Sequence, residues 1–201
     1  MKTRPKGFAS GMEAMVLFIR NEVAIPNLGP HGEGYAPYIL TLFFFILTLN
    51  LLGLIPYGAT ATGNIAVTAT LAAITLVVIE ISGLVSMGLL GWLGTIFYWN
   101  KELPIFVRIP MLFVMTPVEL IGKLAKPFAL AIRLFANMTA GHIVVLALIG
   151  LIFAFKSVAS GAPFLLAVGI MMLELFVALL QAYIFTLLSS VFIGLMREGA
   201  H

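Results

Sequence analysis

The sequence predicts an all-α integral membrane protein: a surface helix, two transmembrane helices, then a long, strongly tilted, membrane-embedded helical hairpin. Three observations carry that prediction. Hydrophobic residues make up 62% of the 201-residue chain and charged residues only 9%, whereas a soluble domain needs about a quarter of its residues charged. With so little polar surface, lipid must be the solvent. Long uncharged apolar runs recur along the chain, and two of them are too long for upright spans.

Met1 to Lys6 is basic, but Pro5 and Gly7 follow and no apolar core with a small-residue cleavage site comes next, so the start does not read as a secretory signal. From Phe8 to Val23, Met12, Met15, Val16, Phe18 and Ile19 interleave with Glu13, Arg20 and Glu22, the pattern of a short helix at the membrane surface. Ile25 to Ala36, rich in proline and glycine, is expected to be a loop. Pro37 to Ile55 is the first span, free of charge and ended by Pro56. Tyr57 to Gly63 is an uncharged turn. Asn64 to Leu90 is the second span, with Glu80 its one charge. Gly91 to Pro110 is expected to be a polar break holding Lys101, Glu102 and Arg108, with Trp92, Tyr98 and Trp99 as interfacial anchors.

Met111 to Phe155 then runs about forty-five residues without a strong break, and Pro163 to Met196 about thirty-four. As helices these would be roughly 65 and 50 Å long, against a hydrocarbon core of about 30 Å. They must bend or lie strongly tilted as a hairpin. Tilting also lets polar groups face protein or water-filled clefts instead of lipid. The domain organisation expected is residues 1–35 as a cytoplasmic amphipathic helix and loop, 36–110 as two spans with an interfacial segment, and 111–201 as an ion-translocating hairpin. Lys2, Arg4, Lys6 and Arg20 precede the first span, Lys101 and Arg108 follow the second, and Arg197 follows the last. The positive-inside rule places all of these on the cytoplasmic side, with Lys156 a mild exception. The chain has no cysteine, which excludes disulfide and thiol chemistry, and no aspartate. A net charge of +3 is too small to argue for nucleic acid. No metal site and no cofactor is expected, and no internal or inverted repeat is evident.

Ionisable groups inside the long hairpin demand an explanation, because a charge at mid-bilayer costs about 2.5–3.5 kcal/mol on insertion scales. Glu119, Lys126, Arg133, His142 and Glu174 all lie there, away from the ends. At about 100° per residue, Glu119, Lys126, Arg133 and Asn137 fall within about 80° of one another, and His142 points to roughly the opposite face from Arg133. Glu174 and Gln181, seven residues apart, share a face. In an antiparallel hairpin His142 could hydrogen-bond Glu174. Arg133 never gives up its proton, so it cannot relay one, but it can attract a carboxylate and favour its ionised form. Glutamate and histidine do titrate. A fixed cation flanked by titrating groups is what a proton turnstile requires. The plainer roles are distinct for each group. Asn137 and Gln181 can be interhelical glue, and Lys126, just before Pro127, can reach the interface. Glu80 can line a cleft or pair with a neighbour, and His31 and His201 can simply be solvated.

The run TPVELIGKLAKPFALAIRLFANMTAGH over residues 116–142 resembles the signature of subunit a of F-type ATP synthases, as does LELFVALLQAYIF over 173–185. LFFFILTLNLLGLIP over 42–56 looks like the family's span leading into its turn, and together the similarity covers most of the chain from Gly32 onward. The resemblance implies a stator subunit pressed against a rotating ring of c subunits, with the peripheral-stalk b subunits, the rest of the ATP synthase and the lipid bilayer as its other partners. It implies that Arg133 is the essential arginine facing each ring carboxylate in turn. Asn137 and Gln181 match polar positions near it, and Glu119, His142 and Glu174 match half-channel positions. Some bacterial members carry Glu and His at the last two of these, in that order; here the order is His142 and Glu174. Most members have a further span before the surface helix, and many have serine where Ala129 stands here. The resemblance implies an energy-transducing membrane, the bacterial plasma (inner) membrane, and no bond-breaking chemistry in this chain. The competing class is a self-contained ion-coupled secondary transporter, which needs its own carboxylate near Arg133. A purely structural anchor does not explain the intramembrane charges.

Overall fold

A computed structural model describes residues 7–29, 32–54, 61–97, 104–155 and 161–198, and every element among them is helical. The helices are α1 (Phe8–Phe18), α2 (Ile25–Leu28), α3 (Ala36–Gly53), α4 (Ile65–Ile96), α5 (Ile105–Phe155) and α6 (Gly161–Glu198). A π-helical stretch, Ile19–Ala24, joins α1 to α2, and single 3₁₀ turns sit at Glu33–Tyr35 and Ala61–Gly63. Four helical segments are long and apolar enough to cross a membrane: Glu33–Gly53, Ile65–Ile96, Ile109–Ala154 and Gly161–Arg197. Large apolar side chains lie open on them, Phe113 at 85% and Leu165 at 72% exposure, as lipid contact requires. The protein is therefore an all-α, multi-pass membrane protein.

Two expectations need correction. The segment expected to be a loop from Ile25 to Ala36 begins with a helical turn, Ile25–Leu28, which holds Pro26 and is continuous with the π stretch. The polar break expected from Gly91 to Pro110 is narrower. Helix α4 runs on to Ile96, kinked at Gly88, whose φ of 70° suits a residue without Cβ. Helix α5 starts at Ile105 and continues through Pro110, Pro117 and Pro127. Each proline removes one backbone donor, a loss that membrane helices tolerate when neighbouring groups re-satisfy the freed carbonyl. Lys101, Glu102, Tyr98, Trp99, most of the Tyr57–Gly63 turn, Lys156, His31 and His201 lie outside the described residues. The long elements are single helices of 51 and 38 residues.

The chain forms two compact units, one comprising Met1–Leu40, Ala72–Ala129 and Thr186–His201, the other Thr41–Leu71 and Leu130–Phe185. In the first, Ile19, Val23, Ala24 and Leu28 are buried, so the surface segment is anchored by its second half. Ser190 of α6 donates to the Val23 carbonyl at 3.4 Å. Tyr38 donates to Thr75 at 3.2 Å, tying the start of α3 to α4, and the Arg197 guanidinium lies 5.3 Å from the centre of the Tyr35 ring. Gly194 lets α6 approach the surface segment closely, because a Cβ there would collide with the Asn27 carbonyl oxygen. Gly194→Ala should therefore destabilise the protein by about 1–3 kcal/mol. Heat unfolding of the detergent-solubilised chain checks this, and an unchanged midpoint would remove the close approach.

In the second unit Leu42, Phe43, Ile46, Leu47, Leu130, Leu134, Met138 and Phe185 form the buried apolar core. Buried Asn50 of α3 donates to the Ala178 carbonyl of α6 at 3.3 Å. Asn137 of α5 meets Gln181 of α6, and Gly141, a turn further on, meets Glu174. Contacts that advance along α5 while receding along α6 define an antiparallel hairpin, the arrangement expected for the last two segments.

Candidate functional site

Two clusters of polar side chains are built into the apolar helices, one in each unit. The first is centred on an ion pair. Lys123 of α5 lies 3.3 Å from the Glu80 carboxylate of α4, and their side chains are 10% and 24% exposed. The same Glu80 oxygen accepts from the Trp92 indole N–H at 2.6 Å. Lys123 also donates to Thr95 at 3.0 Å and sits 5.7 Å from the centre of the Trp92 ring, while Thr95 donates to the Trp92 carbonyl. The kink at Gly88 separates Glu80 from Trp92 and Thr95 on α4, so one helix supplies all three. Glu80, Thr95 and Lys123 line a cavity of about 230 Å³ together with Glu119, Lys126, Leu76, Phe192 and Met196. Glu119 and Lys126 are exposed, and the Lys126 ammonium lies 4.9 Å from the centre of the Phe192 ring.

The second cluster surrounds a small cavity of about 20 Å³, close to the room one water needs. Asn50, Asn137, Glu174 and Gln181 supply its polar lining. Asn137 donates to Gln181 at 3.0 Å, and the other ends of buried Asn50 and Gln181, Oδ1 and Nε2, have no protein partner among the described residues. Glu174 rests in the notch that Gly141 leaves: a Cβ at Gly141 would collide with its Oε1. His142 is half-buried. Its Nδ1 faces the Met138 carbonyl and its Nε2 the Gly53 carbonyl, both at 2.9 Å. Gly53 ends α3, so its carbonyl lacks an intrahelical donor. Carbonyls only accept, so a neutral imidazole satisfies one of these contacts and an imidazolium satisfies both.

Arg133 belongs to neither cavity. It is exposed, and among the described residues no carboxylate lies within ion-pairing distance of its guanidinium. Ala136 and Ala140, one and two turns on, are exposed as well. A face of arginine and alanine offers little side-chain bulk around its one charge, and a second helix can approach such a face closely.

The sequence-derived residues are thus partly regrouped. Glu119 and Lys126 do share a cavity, as one helical stripe predicts. Asn137, on the same stripe, instead pairs with Gln181 in the second cluster. Glu174 and Gln181 do line one cavity. The direct His142–Glu174 hydrogen bond expected of an antiparallel hairpin does not form, because two backbone carbonyls occupy both ring nitrogens. Glu80 both lines a cavity and pairs with a neighbour, its two expected roles. Lys123 was passed over altogether, although it lies in the same apolar stretch as Lys126 at the same insertion cost. Asn50 was read only as part of an apolar span. A polar residue in an otherwise uninterrupted apolar run was its available signal.

Long apolar helices with polar clusters built into them and an exposed Arg133 define an integral membrane protein that carries charged groups along its spans. A family model described as ATP synthase A chain matches residues 1–194, and the chain belongs to that family. An ATP synthase subunit a of Chlorobium phaeobacteroides is 53% identical over 198 residues, covering 96% of this chain and 55% of the relative. An ATP synthase subunit a 2 of Chlorobaculum tepidum is 52% identical over 195 residues, with 95% and 53% covered. An ATP synthase subunit a of Anaeromyxobacter dehalogenans is 49% identical over 194 residues, with 94% and 49% covered. The chain spans about half the length of the curated relatives it matches.

Proposed function

We propose that the chain is a stator subunit of a rotary F-type ATP synthase, conducting protons through two offset half-channels to and from carboxylates on a rotating c-ring. The observation that carries this is Arg133: a permanent cation, exposed on an apolar helix, with no carboxylate of its own chain beside it among the described residues. Such a charge at membrane depth needs a counter-ion, and a moving partner's carboxylate supplies one intermittently. Glu174 and His142, with Asn137 and Gln181, form the entry route. Glu119 lies on the release route, with Lys126 and Glu80 on the walls of the same cavity. A proton entering by Glu174 and His142 neutralises a ring carboxylate. After rotation the carboxylate meets Arg133, whose field favours its ionised form, and its proton leaves toward Glu119. The driving force is about 2.3 kcal/mol per charge per 100 mV.

Residues 1–35 act as the cytoplasmic surface segment, 36–110 as two spans with their interfacial connection, and 111–201 as the tilted, ion-translocating hairpin. Partners are the c-ring, the peripheral-stalk b subunits and the rest of the complex, in a bacterial plasma (inner) membrane. Reconstitution tests the proposal. The isolated chain in liposomes should support no coupled transport, and the complete complex should make ATP from an imposed proton gradient. Robust transport by the isolated chain would favour a self-contained transporter and end this reading.

A further inference from the structure

Four ionisable groups line the cavity of the first unit, two carboxylates and two ammoniums: Glu80, Glu119, Lys123 and Lys126. They are not equivalent. One oxygen of Glu80 is held by two donors, the Trp92 indole at 2.6 Å and Lys123 at 3.3 Å. Lys123 is almost enclosed, and its donors go to Glu80 and Thr95 while the Trp92 ring stacks beside it. Removing either member of the pair would leave the other charge alone in a mostly apolar wall, a costly arrangement. Glu119 is exposed and, among the described residues, has no ion-pair partner. Its carboxylate is therefore not committed to an ion pair.

We infer that Glu80 and Lys123 are positioning residues that work as one neutral unit. Glu80 is the fixed counter-ion of Lys123 and carries no proton, and their mutual cancellation leaves Glu119 as the carboxylate that loads and unloads protons in this cavity. This rests on the ion route proposed above and assigns the division of labour within it. The role of Lys123 is electrostatic: as the paired counter-charge it keeps Glu80 out of competition with Glu119. The indole of Trp92 supplies a second donor to the same carboxylate oxygen that the ammonium contacts, and so fixes the pair.

The test uses the assembled complex in inverted membrane vesicles, with ATP-driven pumping and passive proton flux both expressed per assembled complex. Glu80→Gln and Lys123→Met should each lower flux at least tenfold, since each leaves one unpaired charge in the cavity wall. Combining them should regain most of the lost rate, and Lys123→Arg, which keeps the charge, should retain most of it. Glu119→Gln should lower flux at least tenfold in the parent and in the double variant alike. A double variant as inactive as Glu80→Gln alone would overturn the inference by making Glu80 a proton carrier. So would single variants with parental flux, or losses confined to the amount of complex assembled, which would make the pair a mechanical brace. Full coupled pumping by an Arg133→Ala complex is the separate outcome that removes the underlying ion route.

Discussion

Arg133→Ala is expected to abolish proton-driven ATP synthesis and ATP-driven pumping in an otherwise assembled complex, a loss of at least a hundredfold. An arginine paired with a carboxylate at membrane depth makes a charge-assisted, commonly bidentate contact. Leaving one member of a buried pair without its partner costs about 3–5 kcal/mol. At about 1.4 kcal/mol per factor of ten, that is some two to three orders of magnitude in the population of the ionised ring site beside this helix. Arg133→Lys restores a charge but not the planar fork, and lysine, unlike arginine, can lose its proton when desolvated. It should therefore recover little of the rate. The alanine variant should also leak passively, since nothing then separates the two routes electrostatically. Pumping by quenched-dye assay and leak in vesicles stripped of the catalytic sector measure the two effects. Retention of more than a tenth of parental pumping by Arg133→Ala would show that the exposed guanidinium is not the ring-facing charge. The surroundings of Arg133 strengthen the expectation: with exposed Ala136 and Ala140 beside it, its removal leaves a flat apolar face that helix packing can tolerate.

The four apolar crossings were legible in the sequence because each is a long run with few charges, and length alone separates crossings from the surface segment. What periodicity could not supply is anything that depends on a second helix. It put Glu119, Lys126, Arg133 and Asn137 on one stripe, which is correct for the helix itself. Yet Asn137 is claimed by Gln181 and Arg133 by no side chain among those described. Those assignments depend on which neighbour packs where. Lys123 went unnoticed for the same reason: its partner Glu80 is 43 residues away, and nothing in the local pattern links them. The ends of elements were misjudged where glycine and proline suggested loops. Pro110 lies inside α5 and Gly91 inside α4, because in lipid an open loop is costlier than an imperfect helix.

The second large effect expected is at Gly141, a position with no chemistry of its own. Glu174 occupies the space a side chain there would fill, so Gly141→Ala should push the carboxylate out of the cavity it shares with Asn50, Asn137 and Gln181. Pumping should fall at least tenfold with assembly unchanged. Because the cause is spatial, a shorter acid should relieve it: Glu174→Asp retracts the carboxylate by one methylene. Alone it should lower the rate, yet combined with Gly141→Ala it should raise it above that of Gly141→Ala. On the proposed route the carboxylate and imidazole act together without a direct hydrogen bond, since the His142 ring nitrogens face the Met138 and Gly53 carbonyls. His142→Glu should accordingly impair conduction, and adding Glu174→His should restore part of it. Contacting or functionally linked residues show such non-additivity, whereas independent sites simply sum. Strictly additive losses in the exchange, together with no relief of Gly141→Ala by Glu174→Asp, would mean that the notch at Gly141 does not set where protons enter.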